Sequence, residues 1–179
     1  MALYSFKNKQ PQIHSTAYIA PTAQIIGDVH IGKNSSVWFQ AVVRSDLDRI
    51  TIGDRTSIQD MCVCHADENI PLTIGNGITI GHRSVIHGCT IEDNCLIGMG
   101  AIVMNEAVVG KGSVVAAGAV ILERTIIPPY SLVTGLPGRV KKTYENREAL
   151  ERSIRIMSES YMNSTLAFGS KEIFYAVER

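Results

Sequence analysis

The sequence lacks net charge and lacks any long apolar run. Its 17 basic and 17 acidic residues balance over a length of 179 residues, so bulk electrostatics gives no reason to expect a nucleic acid or an anionic membrane surface as a partner. No apolar run approaches the roughly 20 residues that a membrane-spanning helix needs. We therefore expect neither a nucleic-acid partner nor a membrane partner, and the length suits one compact unit.

The chain also lacks a signal-peptide pattern and has few cysteines. Residues 1–10 contain no apolar segment behind a basic start, which a secretory signal requires, so we expect a cytoplasmic protein. Cys62, Cys64 and Cys95, three of the four cysteines, fall at small or aliphatic positions of the pattern described next. We expect them to be reduced core side chains rather than disulfide partners.

Most of the chain lacks the apolar spacing of three and four residues that marks an amphipathic helix. Instead, an aliphatic residue recurs at about every sixth position, from Ile19 to Val43 and, after a break, from Ile52 to Val133. Gly, Asn and Asp fill many positions between these residues. Short β-branched runs separated by turn residues predict strands and corners, and a fixed period predicts a solenoid. We predict an all-β solenoid, a parallel β-helix with one strand and one corner per hexapeptide.

Residues 13–138 resemble the hexapeptide-repeat family. The resemblance implies a left-handed parallel β-helix with three strands in each coil. The left hand comes from the resemblance alone, because the general rule for crossover connections favours the opposite hand. Two insertions, at residues 46–51 and around residues 66–73, interrupt the repeat after the second strand of a coil.

Beyond the last coil the apolar period changes. Leu150, Ile154, Met157 and Tyr161 are spaced by four, three and four residues, with Glu and Arg between them. This spacing predicts an amphipathic α-helix over about residues 145–167 that lies along the solenoid. We therefore divide the chain into a β-helix domain, residues 1–140, and a C-terminal helix and tail, residues 141–179, packed on it.

The repeat assigns outward side chains to three faces, because neighbours along a strand point to opposite sides. The outward column of the second face is Ile26, Arg44, His65, His87, Met104 and Leu122, and that of the first face is Pro21, Phe39, Asp60, His82, Met99 and Ala117. Apolar groups on the outside of two unlike faces predict a partner. A contact between unlike faces of a three-sided prism closes naturally as a homotrimer.

Three histidines fall in these two columns. His65 and His87 are one coil apart, about 4.8 Å, so both imidazoles can reach one ion. His82 lies on the first face and can join them only from a neighbouring subunit. Three imidazoles with one open position are typical of catalytic zinc, so the sequence predicts a metal site shared between subunits. His14 and His30 lie outside these columns.

The motifs Arg44-Ser45-Asp46 and Ile58-Gln59-Asp60, together with the three histidines, resemble the γ-class carbonic anhydrase branch of the hexapeptide proteins. The resemblance implies that the histidines bind zinc, or iron or cobalt, between subunits of a homotrimer that hydrates carbon dioxide to bicarbonate. It also implies further site residues. These are Arg44 and Asp60 as an interfacial ion pair, Asp46 as an acid behind the ligands, Gln59 as the residue that orients the metal-bound water, and Tyr161 and Asn163 as residues that the C-terminal helix brings to the site.

Two departures from the best-known members of this branch concern proton export. Leu47 stands where those members have a glutamate, and the segment Ala66-Asp67-Glu68-Asn69 replaces a long acidic loop. Both changes bear on turnover more than on metal binding, and Asp67 or Glu68 can take over the role.

Two other functions suit the same fold. CoA-dependent or carrier-dependent acyltransferases, the commonest activity of the wider superfamily, use a single histidine as general base. They usually add acceptor-binding segments, and none is apparent here. The third alternative is a trimer that binds metal without significant catalysis.

Overall fold

A computed structural model describes residues 2–170 and 173–174 and shows a β-solenoid followed by one α-helix. In chain order the elements are β1 (Ala2–Tyr4), β2 (Gln12–Ile13), β3 (Tyr18–Ile19), β4 (Gln24–Ile31), β5 (Ser36–Val37), β6 (Val42–Ile52), β7 (Ser57–Ile58), β8 (Val63–His65), β9 (Leu72–Ile74), β10 (Thr79–Ile80), β11 (Val85–His87), β12 (Thr90–Ile91), β13 (Leu96–Ile97), β14 (Ile102–Val103), β15 (Val108–Val109), β16 (Val114–Val115), β17 (Val120–Ile121), β18 (Ile126–Ile127), β19 (Ser131–Thr134), β20 (Arg139–Thr143) and α1 (Arg147–Gly169).

The strands form the three faces of the solenoid, and within each face they pair in parallel. The first face contains β3, β5, β7, β10, β13, β16 and β19, with β20 antiparallel to β19. The second face contains the first halves of β4 and β6, followed by β8, β11, β14 and β17. The third contains β2, the second halves of β4 and β6, then β9, β12, β15 and β18. The predicted solenoid of three strands per coil is confirmed.

The sixth-residue aliphatic positions form the core. On the second face Ile25, Val43, Cys64, Ile86, Val103 and Ile121 stack in register and are fully buried. Stacking keeps each of these side chains in contact with the same position of the coils above and below, so the core is a continuous column.

A matched pair of isoleucine substitutions tests this column. Ile121 is fully buried, whereas Ile126 on the third face is 74% exposed. We expect Ile121→Ala to lower the free energy of unfolding by about 2–5 kcal/mol, because it leaves a cavity in the stack. Ile126→Ala should change it by less than about 0.5 kcal/mol. Denaturant unfolding of both variants is the measurement, and equal effects would contradict the inward placement of the repeat.

The cysteines behave as predicted. All four are buried and unpaired. Burial raises the pKa of the Cys62 thiol to about 11 and that of Cys89 to about 12, so neither is a thiolate near neutral pH.

The first insertion is a bulge within β6. Gly27 of β4 pairs with Ser45 of β6, and Val29 pairs with Ile50. From one pair to the next, β4 advances by two residues and β6 by five. Strand β6 therefore holds three extra residues at this corner. The second insertion is a tight turn in which the Ile70 N–H donates to the Asp67 carbonyl at 3.0 Å. Both insertions lie at the corner that follows the second face.

Helix α1 begins and ends two residues later than predicted. The Asn146 side chain accepts a hydrogen bond from the Ala149 N–H at 3.0 Å, and this N-cap fixes the start. Ile154 and Ser158 are its buried residues, and the helix packs against β5, β7 and β10. Residues 171–172 and 175–179 of the predicted tail lie outside the described part. Within the described part, no helix has the length and apolar character that a bilayer crossing needs.

Candidate metal centre

The register of the second face brings His65 and His87 together. Arg44, His65 and His87 are directly aligned on β6, β8 and β11, in the column that the repeat predicted. The His65 Nδ1 and the His87 Nε2 face each other at 2.9 Å, and the ring centroids are 4.9 Å apart.

The outer nitrogen of each ring meets an acceptor. The His65 Nε2 donates to the Asp46 Oδ1 at 2.9 Å, and the His87 Nδ1 donates to the Asn105 Oδ1 at 2.6 Å. Burial raises the pKa of Asp46, but the hydrogen bond from His65, a backbone hydrogen bond and the Arg44 charge together lower it below its usual value. Asp46 is therefore an ionised acceptor near neutral pH, and Arg44 pairs with its other oxygen.

These hydrogen bonds decide where the ring protons are. An imidazole nitrogen that donates to a carboxylate or carbonyl oxygen carries the proton, so the other nitrogen of a neutral ring has a lone pair. In two neutral rings the inner nitrogens then aim lone pairs at each other at 2.9 Å, which is unfavourable unless a proton or a metal ion lies between them. Bonds of 2.0–2.1 Å from one tetrahedral zinc ion would separate two nitrogens by about 3.3 Å. The pair therefore fits a shared metal ion after a small side-chain shift, and imidazole suits zinc or iron.

A carboxylate stands next to this pair. Among the described residues, His65, Asp67 and His87 have potential ligand atoms within 4.8 Å of one another. The Asn105 Nδ2 donates to the Asp67 Oδ2 at 2.8 Å. We call Asp46, His65, Asp67, His87 and Asn105 the second-face cluster.

Asn105 was not among the site residues predicted from the sequence. This residue lies at a corner, one coil beyond Gly88, and a Cβ on Gly88 would come within 2.4 Å of its Oδ1. A glycine directly after His87, with an asparagine one coil later, is the signal that could have found it.

A second group of side chains lies on the first face. The His82 Nδ1 is 2.8 Å from the Asp60 Oδ2, and the His82 backbone N–H donates to the Gln59 Oε1 at 3.1 Å. Gln59 is buried, and together with His82, Met157 and Tyr161 it lines an open cleft between the first face and α1. We call Gln59, Asp60, His82 and Tyr161 the first-face cluster.

One chain keeps the two clusters apart. Within the described residues, His82 is absent from the group of potential ligands around His65. Arg44 pairs with Asp46, and Asp60 pairs with His82, so the Arg44–Asp60 pair stays a prediction about an assembled protein. Asn163 is exposed on α1 and is not among the residues that line the cleft.

Known proteins share this fold and sequence pattern. The family described as bacterial transferase hexapeptide (six repeats) matches residues 88–123. A probable carbonic anhydrase of Methanocaldococcus jannaschii is 54% identical over 148 residues, which cover 83% of this chain and 90% of that protein. The chain belongs to the γ-carbonic anhydrase-like branch of the hexapeptide-repeat proteins.

A second relative and a solved structure are also similar to this γ-carbonic anhydrase-like protein. Gamma carbonic anhydrase 1, a mitochondrial protein of Arabidopsis thaliana, is 40% identical over 87% of this chain, which spans 57% of that longer protein. A Bacillus cereus structure described as a putative acetyltransferase has a TM-score of 0.85 at 36% identity, with 92% of this chain and 97% of that chain covered. The predicted fold class, a left-handed parallel β-helix with a C-terminal helix, is therefore confirmed.

Proposed function

We propose that this γ-carbonic anhydrase-like protein hydrates carbon dioxide to bicarbonate at a metal centre between subunits of a homotrimer. His65 and His87 come from one subunit and His82 from the next. The observation that carries the proposal is the pair of inner nitrogens, the His65 Nδ1 and the His87 Nε2, which face each other at 2.9 Å while acceptors hold both outer nitrogens. The relatives named as carbonic anhydrases support the reaction.

The outer surface of the second face supports self-association. A second outward column precedes the core positions. It begins with Gln24 and is apolar in the coils that follow: Val42, Val63, Val85, Ile102 and Val120 in register. Val63 is 40% exposed. An apolar column beside a half-assembled metal site fits a subunit interface better than a free surface.

The same contact explains the charged residues. Arg44 lies one coil before His65 on the second face, and Asp60 lies one coil before His82 on the first face. A contact that brings His82 to the His65–His87 pair therefore also brings Asp60 towards Arg44.

The residues of the chain prepare the site for carbon dioxide hydration. A bound zinc ion, or iron or cobalt in its place, would lower the pKa of the water it holds towards about 7 and so supply hydroxide at neutral pH. Asp46 holds the His65 ring with its Nδ1 free for the ion. The Gln59 Oε1 is held by the His82 N–H, which leaves the Gln59 Nε2 to orient the attacking oxygen. Tyr161 bounds the cleft, and we assign Asn163 to substrate contact when subunits assemble.

Metal content and carbon dioxide hydration, measured on the same anaerobically purified protein, test the proposal. We expect about one ion per interface, and we expect chelation to abolish hydration and zinc to restore it. Metal without hydration would support the catalytically silent trimer. Acetyl transfer from acetyl-CoA that is insensitive to the chelator would support the acyltransferase alternative, and absence of metal would overturn the proposal.

The oligomeric state is a separate expectation. We expect light scattering to give three chain masses at micromolar concentration, because the two clusters complete one site only across a heterologous contact. A stable monomer would contradict both the trimer and the shared metal site.

A further inference from the structure

The His87 ring is oriented by a residue that no part of the proposed mechanism uses. Its Nδ1 is 2.6 Å from the Asn105 Oδ1, and the other end of the same amide, the Nδ2, is 2.8 Å from the Asp67 Oδ2. The three side chains form one continuous chain of hydrogen bonds, from a carboxylate through an amide to an imidazole.

The direction of this chain is determined by Asp67. The Asn105 amide donates from its NH₂ group to the Asp67 Oδ2, so its carbonyl oxygen is turned towards His87. A carbonyl oxygen in turn only accepts, so the His87 Nδ1 must carry the proton. The His87 Nε2, which faces His65, then keeps its lone pair. Asp67 thus determines the tautomer of the His87 ring through Asn105, without a hydrogen bond of its own to that ring in this relay.

Two backbone features hold the arrangement. Asp67 begins the turn of the second insertion, which is closed by the hydrogen bond from the Ile70 N–H at 3.0 Å. Asn105 can approach because Gly88 has no side chain, since a Cβ there would lie 2.4 Å from the Asn105 Oδ1. Alanine at position 88 would push the amide away from the ring.

The two histidines of the second-face cluster are therefore oriented in different ways. The His65 outer nitrogen donates directly to a carboxylate, that of Asp46. The His87 outer nitrogen reaches a carboxylate only through the Asn105 amide.

We propose that Asp67 and Asn105 are positioning residues that select the metal-binding tautomer of His87, and this inference rests on the proposed metal site. Partners of this kind behind a metal-bound histidine fix the ring and typically change metal affinity by about 10- to 100-fold when they are removed. The insertion that carries Asp67 thereby takes part in building the site.

Four variants test the relay by zinc affinity, measured by competition with a chromophoric chelator. Asn105→Leu removes the acceptor at His87, and we expect zinc affinity to fall by about 10- to 100-fold. Asn105→Asp alone places two carboxylates together and should also weaken binding. The double variant Asp67→Asn/Asn105→Asp reverses the polarity, because the introduced asparagine donates to the introduced aspartate, which still accepts from His87. We expect it to bind zinc more tightly than Asn105→Asp. Glu106→Gln is the control, because it removes a charge from an exposed residue next to Asn105 and should leave the affinity unchanged.

A second readout needs no metal. The ¹⁵N shifts of the histidine rings in the metal-free protein, under alkaline conditions where a free imidazole is neutral, report which nitrogen carries the proton. We expect His87 to be protonated at Nδ1 in the wild type and to become a mixture of tautomers in Asn105→Leu.

The outcomes separate this inference from the proposed function. If the wild type binds no zinc, the metal site itself is wrong. If the wild type binds zinc but Asn105→Leu keeps both its affinity and the His87 tautomer, the relay is wrong and the metal site stands. Failure of the double variant to improve on Asn105→Asp would also overturn the relay. Because the double variant re-forms the hydrogen bond between positions 67 and 105, a merely structural role predicts the same rescue, and the His87 tautomer is the readout that distinguishes the two roles.

Discussion

Metal binding should return when two inactive forms of this protein share a trimer. Trimers of His82→Ala and trimers of His65→Ala/His87→Ala should each bind almost no zinc, because every interface lacks at least one ligand. When the two forms are unfolded, mixed in equal amounts and refolded together, some interfaces join an intact His65–His87 pair to an intact His82. With random mixing this holds for about one interface in four, whereas no such interface exists in either parent.

The measurement is metal content per trimer, on mixed trimers separated from the parents by a charged tag on one form. Once the parental trimers are removed, every mixed trimer has one competent interface of its three, so we expect about one ion per mixed trimer. Refolded wild-type trimers provide the reference for full occupancy, and each parent refolded alone provides the zero. A site built within one chain predicts no gain on mixing. Mixed trimers that remain free of metal, while refolded wild type regains it, would therefore refute the site between subunits.

Removal of Arg44 should weaken the trimer more than removal of an exposed ion pair. In one chain Arg44 contacts Asp46, and its side chain is 44% exposed. The proposed contact would bury it against the neighbouring subunit's Asp60. Loss of one partner of a desolvated pair leaves the other charge uncompensated and costs about 2–5 kcal/mol. At about 1.4 kcal/mol for each factor of ten, trimer dissociation should increase by more than tenfold.

A double-mutant cycle isolates the pair. Trimer dissociation of Arg44→Ala, Asp60→Ala and the double variant is measured by sedimentation over a range of concentrations. We expect the double variant to lose clearly less free energy of association than the sum of the two single variants. Each single variant leaves one unpaired charge at the interface, whereas the double variant leaves none. Arg155→Ala is the control, since Arg155 is 64% exposed in a pair with Glu159 on α1 and such pairs contribute about 0–1 kcal/mol. Equal dissociation of Arg44→Ala and Arg155→Ala trimers would contradict the pairing.

The repeat was sufficient to predict the solenoid and its columns. A hexapeptide period with one aliphatic residue inward leaves each strand position only one orientation, and parallel coils about 4.8 Å apart align equal positions. For this reason the sequence alone predicts Arg44, His65 and His87 side by side, and the register agrees. The same reasoning placed His82 on another face, apart from them.

The apolar period predicted that the helix exists, but not where it begins and ends. The spacing of Ile154 and Tyr161 indicated an amphipathic helix, yet the start depends on the Asn146 cap. A cap is a single side-chain hydrogen bond, and an apolar period carries no information about it.

Within the second-face cluster, the sequence alone determined which two histidines of one chain come together, because both lie in the repeat. Only the tertiary structure decided what holds His87. Asp67 sits in an insertion and Asn105 at a corner, and neither position has a register that the repeat defines. Their contact depends on how the 67–70 turn folds back and on the space that Gly88 leaves open. A spacing along the chain predicts contacts between strands, whereas contacts between a turn and a corner depend on the path of the backbone in three dimensions.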